Sequence, residues 1–256
     1  MLKTTILLVF VLSIFCQYSF SQNTDSTKSI FHFKGAVTVT NKGISLVPTF
    51  TLGKPAAIFD LSMGKKKLYF EPQLRFSLKG KPWSFLFWWR YKLIADKKFV
   101  LTLGGHPALN FKTETHLVNG VPRNYIVARR YLAAELAPNY FISQNVSLGL
   151  YYLYARGLDY GTTKMGHFLT LNANFSNIRL GDRFFARFIP QIYYLYQDGK
   201  HGYYYTTSLT LLKRNFPVSF QSTTNKIIQT NVPGSYDFLL NFSLIYSFGK
   251  KYVQHQ

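Results

Sequence analysis

The stretch Lys67–Leu78, KLYFEPQLRFSL, alternates residue by residue between two chemistries. Leu68, Phe70, Pro72, Leu74, Phe76 and Leu78 make one series, and Tyr69, Glu71, Gln73, Arg75 and Ser77 make the other. Residues i and i+2 share one face of an extended strand while i+1 points the opposite way, so the run predicts a strand with one oily and one polar face. The end of the chain repeats the pattern: Leu240, Phe242, Leu244, Tyr246 and Phe248 oppose Asn241, Ser243, Ile245 and Ser247. Between these two stretches, Phe99–Phe111 and His167–Ile178 alternate in the same manner.

Alternating segments of about 9–14 residues, each ended by Gly, Pro, Asn, Asp or Lys, recur along the whole chain; oily and polar faces in such a series fit lipid outside and water inside a closed sheet. Taking each run as one strand gives 44–52, 56–63, 67–78, 83–94, 98–111, 125–142, 146–157, 167–178, 184–197, 202–213, 216–225 and 238–248. The fold class that follows is all-β: a transmembrane antiparallel β-barrel of about 12 strands. An even count places both termini on the inner side of the membrane. Short connections (64–66, 95–97, 143–145, 179–183, 214–215) then fall on that side, and 112–124, 158–166 and 226–237 on the other. Tyr152, Tyr154, Tyr194, Tyr196, Tyr203 and Tyr205 gather at the outer end, where an aromatic girdle belongs. The segment Phe31–Thr40 also alternates, but out of phase with Ile44–Leu52. A thirteenth strand would spoil the parity, so a bulge or an extension below the membrane is the expectation there.

The first residues carry a separate message. Met1–Lys3 is a short cationic start, Thr4–Cys16 is apolar but too short to span as a helix, and Ser19-Phe20-Ser21 puts small residues at −3 and −1 of a cleavage point. Residues 1–21 therefore read as a cleaved export signal and 22–256 as the barrel. Bulky Phe15 before Cys16 argues against acylation of that cysteine. No cysteine remains beyond residue 21, so the barrel is expected to fold without disulfides. Composition agrees: aromatics reach 18% and DEKR residues only 16%, below the roughly 25% of an ordinary soluble domain. Removing Lys3 with the signal lowers the net charge of +20 only to +19. Export, the lack of a nucleic-acid module and the placing of lysines in turns such as Gly64-Lys65-Lys66-Lys67 argue for anionic lipid headgroups, not nucleic acid, as the partner.

The chemistry lies in what faces the bore. The alternation points Asp60, Glu71, Arg75, Arg90, His106, Glu135 and Arg187 inward. Charges inside a barrel persist when wet or paired. Arg75, Arg90 and Arg187 would favour anions in an open pore, whereas a network of those arginines with Asp60, Glu71 and Glu135 would brace a narrow interior. In Pro82–Tyr91, PWSFLFWWRY, the phase puts Phe85, Phe87, Trp89 and Tyr91 toward lipid, with Trp83 and Tyr91 near the two interfaces, and turns Trp88 inward. The six histidines are scattered, and no nucleophile–base, metal or phosphate-loop motif occurs. No cofactor is expected. His106 and His167 are the positions at which a lipid-modifying activity would be tested.

These features resemble the broad class of Gram-negative outer-membrane β-barrels. The resemblance covers the signal, the alternating strands and the Asn241–Phe248 ending, which is similar to the C-terminal aromatic signal read by the barrel-assembly machinery; Gly249–Gln256 departs from it by running past the aromatic. It implies an outer-membrane location, membrane lipids and the assembly machinery as partners, and a porin-like channel for small solutes, anions among them, without enzymatic activity. A non-conducting structural or partner-binding barrel, and a lipid-modifying enzyme, are the alternatives. Oligomeric state is left open.

Overall fold

The computed structural model describes residues 30–45 and 47–253. The export signal expected at 1–21 lies outside them. Twelve strands follow in chain order: β1 (Ile30–Thr40), β2 (Ala56–Lys65), β3 (Leu68–Ser77), β4 (Pro82–Ala95), β5 (Phe99–Val118), β6 (Val121–Phe141), β7 (Val146–Gly157), β8 (Gly166–Arg179), β9 (Phe184–Gln197), β10 (Lys200–Lys213), β11 (Val218–Thr230) and β12 (Phe238–Val253). Each pairs with its chain neighbour and β12 closes onto β1, giving an antiparallel barrel without a free edge. Closure matters because an unpaired backbone N–H or C=O in lipid is very costly. Ile30 sits opposite Val253, so both ends of the described chain lie at one end of the barrel, here the terminal end.

The oily series faces outward all round the barrel. Leu68, Trp89, Leu103, Leu132, Leu148, Leu171, Ile192 and Leu244, one from each of eight strands, are exposed. In water this would be an aggregation surface; in a bilayer it is the lipid face. The polar series points into the bore.

Three expectations need correction. The first strand is Ile30–Thr40, not 44–52. Residues 41–45 and 47–55 instead fold into the bore at the far end as a strap, 41–55, containing a 3-10 turn, Pro48–Phe50. The strap's base is tied by Gly43 N–H to the Lys54 carbonyl at 2.8 Å and by Leu52 N–H to the Gly43 carbonyl at 2.9 Å. The count of twelve survives because one strand is gained and one lost. Second, 112–124 is not a loop: β5 and β6 run for 20 and 21 residues and meet at a two-residue turn, Asn119-Gly120, with φ of 53° and 76°. That left-handed pair suits the twist of a tight hairpin. Beyond Asn110 and before Arg130 these strands pair only with each other, so the hairpin projects past the rim by about 25 Å at ~3.4 Å per residue. Third, β12 continues past Phe248 to Val253, pairing Lys250 and Lys251 with Phe33 and His32.

Candidate functional site

The bore has two unlike walls. Strands β2–β6 supply the charged one. Arg90 on β4 makes a bidentate pair with Glu135 on β6, Nε to Oε1 at 2.5 Å and Nη2 to Oε2 at 3.1 Å, and its Nη1 reaches Glu71 Oε2 on β3 at 2.6 Å. The Tyr151 hydroxyl of β7 donates to Glu135 at 2.7 Å, and the Ser62 hydroxyl of β2 donates to Glu71 at 2.7 Å. Trp88 lies inward, buried, with the Arg90 guanidinium 4.4 Å from its ring centre. Gly104 on β5 makes this possible: a Cβ there would stand 2.6 Å from Glu135 Oε1. The Glu135 side chain is 1% exposed, against 24% for Glu71 and 30% for Arg90. One cation thus holds two carboxylates, one dry and one wet.

Arg75 stands in a different setting. Its Nη2 donates to the Gln73 amide oxygen, and Gln73 in turn donates to Asp60. Its Nη1 is 3.4 Å from Ser45 Oγ on the strap, and its guanidinium lies 5.1 Å from the Trp83 ring. Asp60 is therefore tied to Arg75 through an amide, not directly. Among the described residues the buried Nε of Arg75 and the buried Oγ of Ser84 have no hydrogen-bond partner.

Strands β9–β12 and the top of β1 make the neutral wall, of hydroxyls and amides. Tyr193 and Thr206 both donate to Asn225, at 2.7 and 2.6 Å, and Thr40 donates to Asn241 at 2.5 Å. Toward the far end this side is filled by Phe168, Leu195, Tyr204 and Val232, which form a buried apolar layer with Val47 of the strap. The strap crosses above the bore. Trp83 Nε1 donates to the Phe50 carbonyl at 2.8 Å, and Gln197 Nε2 donates to Thr49 Oγ1 at 3.1 Å. Trp83 begins β4 and Gln197 ends β9, strands nearly opposite in the ring of twelve. Trp83 is thus buried beneath the strap, correcting its expected place at the membrane interface.

Beneath the strap lies a chamber of about 640 Å³. It adjoins a cavity of about 310 Å³ toward the terminal end, sharing Lys34, Glu71 and Arg90 with it. It also adjoins one of about 390 Å³ on the neutral side, sharing Asp60, Gln73 and Arg75. His106 lines the chamber with its ring 3.9 Å from that of Trp88 and Nδ1 3.2 Å from the Pro107 carbonyl oxygen. Arg187 stays apart: it is exposed and bonds Asn174 at 2.7 Å. His167 stands among the outward tyrosines, its Nδ1 2.7 Å from the Tyr152 hydroxyl. No group of three or more potential metal ligands occurs among the described residues.

Sequence reasoning did not single out Tyr151, Ser84, Gln197 or the strap residues Thr49 and Phe50. Tyr151 was within reach, since outward Tyr152 and Tyr154 fix it as inward. Nothing local marks Thr49 or Gln197, whose contact spans most of the chain.

No family model and no curated protein matches the sequence. Among solved structures the barrel is similar to the KdgM porin, at 10% identity over 84% of this chain and 99% of that one, with a TM-score of 0.52. The same porin in complex with disordered oligogalacturonate gives 9% identity, 85% and 99% coverage, and 0.50. An outer-membrane channel from Pseudomonas putida F1 gives 8% identity, 90% and 100% coverage, and 0.50. At such identities the likeness concerns architecture, which fold alone does not convert into activity. The chain has the fold of a twelve-stranded, porin-like outer-membrane β-barrel.

Proposed function

We propose that the protein is a narrow outer-membrane channel for small solutes, anions among them, whose outer mouth is closed by the strap 41–55 in the state described and opens when the strap lifts. The observation that carries this reading is the series of adjoining cavities reaching from the terminal end to the underside of the strap. A barrel braced only for rigidity has no need of that much wet interior. Beyond its base the strap is held to the wall by three side-chain hydrogen bonds, from Trp83, Gln197 and Arg75, worth about 1 kcal/mol each, plus apolar contacts, so lifting it is affordable on a functional timescale. With Arg90 neutralised by two carboxylates, charge selectivity is expected to be weak.

Planar-bilayer recording tests the proposal. The purified chain should give small discrete steps, and replacing 44–52 by a short Gly-Ser linker should enlarge them several-fold. Silence from both proteins would sink it. That outcome would favour a non-conducting, partner-binding barrel, the reading supported by the strap's two-sided anchorage and by exposed Leu117, Val121 and Tyr125 on the projecting hairpin. Catalysis forms no part of the proposal: the ring contacts of His106 and His167 are to Trp88, Pro107 and tyrosines, not to a carboxylate. Membrane lipids should be unchanged when either histidine is replaced by Ala.

A further inference from the structure

We propose that the chamber under the strap is a binding site for a small carboxylate with an apolar body, anchored by Arg75 and Ser84. The inference rests on the reading of the bore as a solute path and names a solute class for it. Arg75, Ser84 and Asn110 face one another in register across β3, β4 and β5, and all three line the chamber. Arg90 has its carboxylates; Arg75 has none within ion-pair distance among the described residues, and its Nε–H is buried without an acceptor. A half-buried cation whose nearest carboxylate, Asp60, is reached only through Gln73, next to an unused buried hydroxyl, is a costly arrangement for a wall that serves only as a wall. A carboxylate in the chamber supplies the direct counter-charge to the Arg75 guanidinium, and a turn of the Arg75 and Ser84 side chains brings the unused Nε–H and hydroxyl, both shielded in the state described, to its oxygens.

The rest of the chamber sets the ligand's body. Val47, Phe50, Leu86, Trp88 and Leu153 also line it, Leu86 and Trp88 from the same strand as Ser84. A sugar would leave hydroxyls unpaired against these residues. A ring or short apolar chain packs against them, and about 640 Å³ lies within the range usual for small-ligand pockets.

Benzoate is a suitable probe, with benzyl alcohol as the neutral analogue and acetate as the carboxylate without a body. Binding is read on folded protein in detergent by calorimetry and by the fluorescence of Trp83 and Trp88 in a Trp89→Phe background. Benzoate should bind saturably, and both other probes at least tenfold more weakly. Arg75→Gln should weaken benzoate by about tenfold or more, Ser84→Ala by several-fold, and Arg183→Gln, a turn residue at the terminal end, not at all. Arg75→Gln removes an unpaired buried charge and should keep the strand signal in circular dichroism; if it does not fold, Ser84→Ala carries the test. Equal affinity for benzyl alcohol, or benzoate affinity unchanged in the folded variants, overturns the inference. Conductance is a separate readout. A chain that conducts but does not bind benzoate defeats this inference alone, whereas one that binds benzoate and never conducts defeats the channel.

Discussion

Replacing Arg90 by Met should be among the most damaging single changes in the bore, and the structure says which partner carries the damage. The variant leaves Glu135 buried, 1% exposed, with only the Tyr151 hydroxyl to satisfy it. It also leaves Glu71, 24% exposed, with Ser62. Stripping the partner from a buried charge costs about 3–5 kcal/mol, while a wet pair is worth about 1 kcal/mol or less. Taking the dry limb at the lower end, because Tyr151 remains and Arg90 itself is partly wet, the expected loss is about 3–4 kcal/mol. Adding Glu135→Gln to Arg90→Met should then recover about 2 kcal/mol or more, because it removes the unpaired charge while keeping the shape; adding Glu71→Gln should recover less than about 1 kcal/mol. Urea unfolding of the barrel in lipid vesicles, followed by tryptophan fluorescence, gives the four free energies, and with the single variants Glu135→Gln and Glu71→Gln added the two cycles isolate each pairing. A loss under about 1 kcal/mol for Arg90→Met, or equal recovery from the two second changes, would refute the division into a dry and a wet carboxylate.

Other outcomes follow from single contacts. Gly104→Ala puts a Cβ 2.6 Å from Glu135 Oε1, and that carboxylate is pinned by Arg90 and Tyr151; urea melts should show a loss of about 1–3 kcal/mol. Gly105→Ala, whose nearest neighbour would be 3.4 Å away, should be nearly silent. Trp83→Phe removes the strap's bond to β4, so channel openings should become more frequent while global stability falls by only about 1 kcal/mol. At the far rim the Arg130 guanidinium, with the Arg130 backbone N–H, holds the Asp159 carboxyl down at about 2. A depressed carboxyl stabilises fully above its unfolded value near 4 and loses that contribution as pH falls toward about 2. Hydrogen exchange across 158–165 should therefore be flat, once corrected for intrinsic rates, from pH 8 to 5 and accelerate only between about 4 and 2; Asp159→Asn should exchange fast at pH 7.

Alternation made most of the barrel legible because lipid and water impose opposite demands on successive residues. Lys67–Leu78 and Leu240–Phe248 read correctly for that reason. It misled at 44–52 for the same reason. Val47 and Pro48 are buried there as in a membrane strand, but Val47 packs into the apolar layer inside the bore and not against lipid. Periodicity distinguishes apolar from polar surroundings, not one apolar surrounding from another. The projecting hairpin was hidden by its polarity, which a strand paired only to its neighbour in water is free to have. Asn119-Gly120 between Val118 and Val121 was the signal that would have found it.

Inward arginines show the limit of the method more sharply. Arg75 and Arg90 occupy equivalent phases on neighbouring strands, so the sequence treats them alike as fixed positive charge. The fold does not. Arg90 meets a carboxylate on each side because Gly104, in register with both, makes room for Glu135, and because Glu71, whose register partner on β4 is Trp88, stands within reach of Nη1. Arg75 meets Gln73, a neutral relay to Asp60, and the strap. A count of inward cations would credit these two arginines with equal attractions for anions, yet of the pair Arg75 alone has no carboxylate within ion-pair distance among the described residues. On the carboxylate proposal, Arg75→Gln should abolish a benzoate effect on conductance that Arg187→Gln leaves in place.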